Sequence, residues 1–158
     1  QLALAPYYYF TSSIYEGECS SNRVALMTAK NSDTPLYLAK INGKQVYELV
    51  GNYLADFDAD FYVTNKYELP IASGMKVIVK DKGNGFSLKG ITVNEKKIDK
   101  EKEYSILLTG TTMSILKKLY PECKITQLKD TTLSSAWVAA MSKGQQPSAP
   151  EDYIEVEE

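Results

Sequence analysis

The chain has 158 residues, 44% of them hydrophobic, which suits one domain with an ordinary packed core. A formal net charge of -2 leaves no basic footprint for nucleic acid, and no apolar run approaches the ~20 residues that a membrane-spanning helix needs. The absence of histidine excludes Ser-His-Asp and Cys-His catalytic arrangements, and two cysteines without histidine are too few for a conventional zinc site.

From the N-terminus, Leu2 to Ala5 reads as a short buried strand stopped by Pro6, feeding a loop of Tyr7, Tyr8, Tyr9 and Phe10. Opening on Gln1 without an initiator methionine or a signal-peptide pattern, the chain reads as an excised or processed segment. Ser20 or Ser21 caps a short helix through about Ala29, and Asn31-Ser-Asp-Thr-Pro35 reads as a turn. A strand from Leu36 to Ile41 ends at Asn42-Gly43. Val46, Leu49, Val50, Tyr53 and Leu54 then recur at helical spacing, so one apolar stripe faces the core.

Past the acidic link at Asp56, Asp58 and Asp60, strands are expected near Tyr67 to Ser73 and Met75 to Lys80, with Asp81-Lys-Gly-Asn-Gly85 turning a hairpin into Phe86. Phe86 and Leu88 share one parity while Ile91 and Val93 share the other, which predicts a bulge at Gly90. Lys96 to Lys102 interleaves with Glu95, Glu101 and Glu103 as a solvated connection, and Tyr104, Ile106 and Leu108 alternate as a strand. Thr111 is expected to cap a helix carrying Ile115, Leu116 and Leu119, stopped by Pro121. Cys123 to Leu128 reads as a strand, and Asp130 or Thr131 as the cap of a helix with Leu133, Trp137 and Met141, ended by Gly144. Residues 1–144 form the expected domain, and 145–158 a linker-like acidic tail in which Tyr153, Ile154 and Val156 offer a means of docking. Irregularly ordered strands and helices predict an α+β (mixed α/β) single domain, a mixed sheet packed by about four helices.

Three motifs invite chemistry and read better as structure. Asp56, Asp58 and Asp60 open like a calcium loop, but Phe61 stands where a turn glycine belongs and Tyr67 where the bidentate glutamate belongs. Gly83-Asn84-Gly85 lacks the Gly-Lys-Ser/Thr ending and the following helix of a phosphate loop. Cys19 and Cys123 are either two separate buried thiols or a pair that the fold brings together.

The order of these elements resembles the C-terminal, substrate-recognition domain of the 5'-nucleotidase and UDP-sugar hydrolase family, as a divergent member. The family's first strand, Gly-Gly-x-Arg turn and Ile-x-x-Gly-x-Ile segment look like Tyr8-Tyr9-Phe10-Thr11 and Ile14-Tyr15-Glu16-Gly17-Glu18-Cys19. Its Pro-x-x-Asn segment falls near Ala29-Lys30-Asn31-Ser32, and its strand, Gly turn and helix near Leu36 to Leu54. Its Ser-Gly element resembles Ile71-Ala72-Ser73-Gly74-Met75. Its late strand pair looks like Ile91 to Glu95 running through Ile98-Asp99 to Tyr104-Ser105-Ile106.

The resemblance implies a ligand rim at Tyr8, Tyr9, Thr11, Lys30, Asn31 and Leu69, with no catalytic or metal-binding residue in this chain. It also shows what is altered. The family's base-stacking positions fall at Leu69 and at Gly110-Thr111-Thr112-Met113, and its first-turn arginine aligns with Thr11. Leucine has no ring quadrupole for stacking, and threonine has no charged fork for an oxyanion. The tyrosine loop either supplies replacement stacking surfaces or packs itself shut. The implied partners are an N-terminal metallophosphoesterase domain of the same protein, which would carry a divalent metal pair, and a nucleotide or nucleoside. The implied location is extracytoplasmic: secreted, periplasmic or at the cell surface. The same residues also suit a stand-alone binding domain that has lost nucleotide recognition.

Overall fold

The computed structural model describes residues 1–6, 34–55, 70–83, 85–143 and 154–157. Among them, in chain order, are β1 (Leu2–Pro6), β2 (Pro35–Asn42), α1 (Gly43–Ala55), β3 (Pro70–Ser73), β4 (Lys76–Asp81), β5 (Phe86–Val93), β6 (Lys96–Lys97), β7 (Glu103–Leu108), α2 (Gly110–Leu119), β8 (Ile125–Thr132), α3 (Leu133–Ser142) and β9 (Ile154–Glu157). The α+β class is as expected, with three helices among the described residues. The further helix expected over 20–29, the acidic link at 56–60 and the boundary at 144 lie outside the described residues.

The strands divide between two mixed sheets. A five-stranded sheet runs β3-β1-β7-β2-β8, and a four-stranded one runs β6-β5-β4-β9. The parallel pairs are β1 with β7 and β4 with β9; every other pairing is antiparallel. Alternation along a strand says which face is buried but not which strands share a ladder, so the division into two sheets was not readable from parity.

Helix α1 begins where the sequence suggests. Asn42 and Gln45 exchange reciprocal hydrogen bonds, the Asn42 N–H donating to Gln45 Oε1 and the Gln45 N–H to Asn42 Oδ1, each at 2.9 Å. The two N–H groups between them donate to the carbonyls of Lys102 and Lys100, both at 3.0 Å. All four donors of this helix start are therefore satisfied, two by side chains and two by the connection ahead of β7. The buried stripe is Val46, Leu49, Val50, Tyr53 and Leu54, with Gly43 buried at the turn. It meets α2 through Leu116, which is fully buried, and β5 of the second sheet.

The hairpin between β4 and β5 carries the expected bulge. Ile78 faces Gly90 while Val79 faces Leu88, leaving Lys89 as the extra residue. The bulge lets Val77, Val79 and Ile91 all reach the core, each with no exposed surface. Each such side chain contributes roughly 1.5–3 kcal/mol on burial.

Two helix starts differ from expectation. Thr109, in extended conformation, is the cap of α2 instead of Thr111, because β7 leads into the helix through that one residue. Thr132 caps α3 instead of Asp130 or Thr131: its N–H donates to Ser135 Oγ at 2.8 Å, and the Ser135 N–H returns to Thr132 Oγ1 at 3.1 Å. Strand β8 consequently runs on to Thr132. At the far end of the chain, β9 pairs in parallel with β4 and closes one edge of the second sheet.

Candidate functional site

The five-stranded sheet gathers several chain ends at one margin. Pro6 at the end of β1 is in register with Pro70 at the start of β3, and Leu4 lies beside Leu108 near the end of β7. Tyr37 is also paired with Leu108, and Pro35 with Thr132, which brings the start of β2 and the end of β8 to the same margin. The Thr34 carbonyl accepts the Leu133 N–H at 3.0 Å and anchors the start of α3 there. Pro6, Pro35 and Pro70 have no N–H to offer a ladder, and each is the last described strand residue at this margin. Strand β1 and its parallel neighbour β7 thus open side by side into whatever follows them.

The expected rim residues Tyr8, Tyr9, Thr11, Lys30, Asn31 and Leu69 all lie outside the described residues. The described residues nearest to them in sequence, Pro6, Thr34 and Pro70, lie together at this margin. The altered stacking motif is at the same margin and is fully described. Thr109 is 2% exposed and Thr112 wholly buried. Thr112 Oγ1 accepts the Thr109 N–H at 3.0 Å and has its single proton to share between the Leu4 and Thr109 carbonyls, each 3.2 Å away. The hydroxyl is thereby committed to tying α2 onto β1. Met113 packs against the core. Gly110, by contrast, faces open space: a Cβ added there would meet nothing within 4 Å.

Sequence reading missed the structural use of Thr109 and Thr112. The available signal was their three-residue spacing immediately before the helical pattern. It also missed a cleft of about 470 Å³ toward the other end of β2, lined by Leu38, Lys40, Gln45, Glu103, Cys123 and Lys124 among others. Lys40 and Glu103 approach to 3.9 Å there, but both side chains are largely exposed, so the pair is worth little. Burial pushes the Cys123 thiol pKa up and Glu122 adds to the rise, against a lowering by Lys117. A thiol held protonated in this way is a poor nucleophile. Cys123 is a free thiol, and Cys19 lies outside the described residues. Among the described residues, no group of three or more His, Cys, Asp or Glu side chains is placed to hold a metal ion. No helix of the described residues is long and apolar enough to cross a membrane.

No family model matches the sequence, and no curated protein matches it either. Solved structures do match by fold. A 5'-nucleotidase precursor from Thermus thermophilus superimposes with a TM-score of 0.77 over 99% of this chain, at 15% identity, and 31% of its own chain is covered. The NAD nucleotidase of Haemophilus influenzae gives 0.74 over 98% of this chain, at 14% identity, and 29% of its own. The sulfate thiohydrolase SoxB of Thermus thermophilus gives 0.63 over 98% of this chain, at 14% identity, and 28% of its own. The chain spans about a third of the length of these structures. Its fold is the one that makes up that third of the 5'-nucleotidases, consistent with a C-terminal domain of that family.

Proposed function

We propose that this chain is the substrate-side domain of an exported 5'-nucleotidase-like phosphoesterase, without catalytic activity of its own. It would position a nucleotide-like substrate for, or scaffold, an N-terminal metallophosphoesterase domain in which two divalent metal ions activate water. The supporting observation is the match of almost the whole chain to about a third of a nucleotidase, whose remaining length is ample for a separate catalytic unit. The absence of histidine from this chain agrees with metal chemistry housed elsewhere. Extracytoplasmic location rests on the same resemblance. In sequence Tyr8 and Tyr9 follow β1, Lys30 and Asn31 precede β2, and Leu69 precedes β3, and the described residues next to them, Pro6, Thr34 and Pro70, converge on one margin of the sheet.

Calorimetric titration with AMP, adenosine, UDP-glucose and inorganic phosphate tests this. The nucleotides bind, and Tyr8→Ala or Tyr9→Ala weakens binding by roughly tenfold or more, since a stacked base is worth about 1–3 kcal/mol. The core packing of Met113 and the commitment of Thr112 favour a second reading, a stand-alone extracytoplasmic interaction domain. Absence of binding by all of these ligands to the well-folded chain would select it.

A further inference from the structure

Asn42-Gly43, at the junction of β2 and α1, is one of two Asn-Gly pairs in the chain, the other being Asn84-Gly85. Asn-Gly is the dipeptide most prone to spontaneous deamidation. The glycine main-chain nitrogen attacks the asparagine Cγ, ammonia leaves, and water opens the resulting succinimide. The products are aspartate and isoaspartate, in which the main chain runs through the side-chain carboxyl carbon. Glycine favours the attack because it has no side chain to obstruct it.

The fold engages both reacting groups. The Gly43 N–H donates to the Lys102 carbonyl at 3.0 Å. Asn42 Oδ1, borne on the carbon under attack, accepts the Gln45 N–H at 2.9 Å, which holds the side-chain amide in its capping position. Gly43 is buried, and the Asp99 carbonyl fills the space where its Cβ would stand. The connection over it is fastened in turn by Ile98, which is 4% exposed, and by the Asp99 N–H donating to the Tyr104 hydroxyl at 3.2 Å.

We propose that Asn42-Gly43 is a deamidation site gated by the 98–102 connection. The reaction proceeds from the state in which that connection has lifted off α1, and its isoaspartate product keeps the connection from returning. Lifting releases the Gly43 nitrogen from the Lys102 carbonyl, so it can lose its proton, and lets the first turn unwind to free the Asn42 amide. Aspartate at 42 would still cap α1, because its carboxylate accepts the same N–H near the positive end of the helix. Isoaspartate instead lengthens the main chain by one methylene just before Gly43. The Gly43 and Lys44 N–H groups then no longer meet the Lys102 and Lys100 carbonyls in register.

The test ages the purified chain at mildly alkaline pH in a series of guanidinium chloride concentrations, from none to fully denaturing. Peptide mapping by mass spectrometry follows Asn42 separately from Asn84, and hydrogen exchange read by NMR follows the Gly43 amide. Deamidation of Asn42 is at least about tenfold slower in the native chain than in the denatured one, and below the unfolding transition it rises in proportion to Gly43 exchange. Equal rates in the native and denatured chain overturn the proposal, as does a native rate that does not follow that exchange. The products supply the second arm. The isoaspartate form, separated by chromatography, has lost protection of the Gly43 and Lys44 amides, whereas Asn42→Asp keeps it. Protection kept by the isoaspartate form, or lost equally by Asn42→Asp, overturns the claim that this product holds the connection off.

Discussion

Glu48 on α1 and Tyr120 at the end of α2 join two helices through one phenol, whose O–H donates to Glu48 Oε2 in a short contact. Glu48 is also 3.9 Å from Lys44 one turn earlier. Burial, then the hydrogen bond to Glu48 and its charge, then the charge of Glu122, push the Tyr120 phenol up to about 12. Below its ordinary value the phenol is protonated in folded and unfolded chains alike, and its contribution to stability is complete. As pH rises toward about 12 the unfolded chain loses the proton first, so that contribution is lost. Ultraviolet titration should therefore find one tyrosine ionising late, and Glu48→Gln should bring it part of the way back, burial remaining. Denaturation midpoints measured across the same interval should fall less steeply in Tyr120→Phe than in the unaltered chain. Nothing in local sequence announces this pair, because the two residues are far apart in the chain and meet only when α1 packs on α2. Thr112 was a similar omission: its spacing from Thr109 was legible, but its contact with the Leu4 carbonyl needed β1 to lie beside β7.

The segments around α1 and from Ile91 to Tyr104, which carry much of the family resemblance, turn out to be one interlocking unit. The Ile98 N–H donates to the Ile91 carbonyl, and the Asp99 N–H to the Tyr104 hydroxyl, so the connection between β6 and β7 is folded on itself. Its carbonyls then cap α1. This contact explains Gly43, since a Cβ there would run into the Asp99 carbonyl oxygen. Gly43→Ala should force the connection away, strip the Lys100 and Lys102 carbonyls from the helix start, and cost about 1–3 kcal/mol in denaturant unfolding. Gly110→Ala is the matched control. It stands in open space without a positive φ, so it should be neutral or stabilising by up to about 1 kcal/mol. Equal losses from the two would mean that contact with the connection is not the reason for glycine at 43. Helix α1, the bulge beside Gly90 and strand β7 were legible because each is set by local periodicity or turn chemistry. The starts of α2 and α3 were off by one or two residues, since neighbouring threonines offer equivalent caps and only the strand entering the helix selects among them.

For the molecule as a whole, fold and activity part company. SoxB and the nucleotidases superimpose on the same chain, although their names describe different reactions, so the fold alone does not choose a substrate. The purified chain supplied with Mn, Mg, Zn or Ca should release phosphate from AMP or UDP-glucose no faster than buffer does. Turnover comparable to that of a two-domain nucleotidase would overturn the non-catalytic reading. The sequence by itself determined the α+β class, the apolar stripe of α1, the parity switch at Gly90 and the exclusion of histidine-dependent chemistry, because composition and short-range spacing are enough for each. Only the tertiary structure decided that the strands divide into two sheets, that Pro6, Pro35, Pro70 and the start of α2 converge on one margin, and that the acidic tail contributes β9. These depend on which strands pair across long stretches of chain, and parity, being the same for any partner, carries no record of that choice.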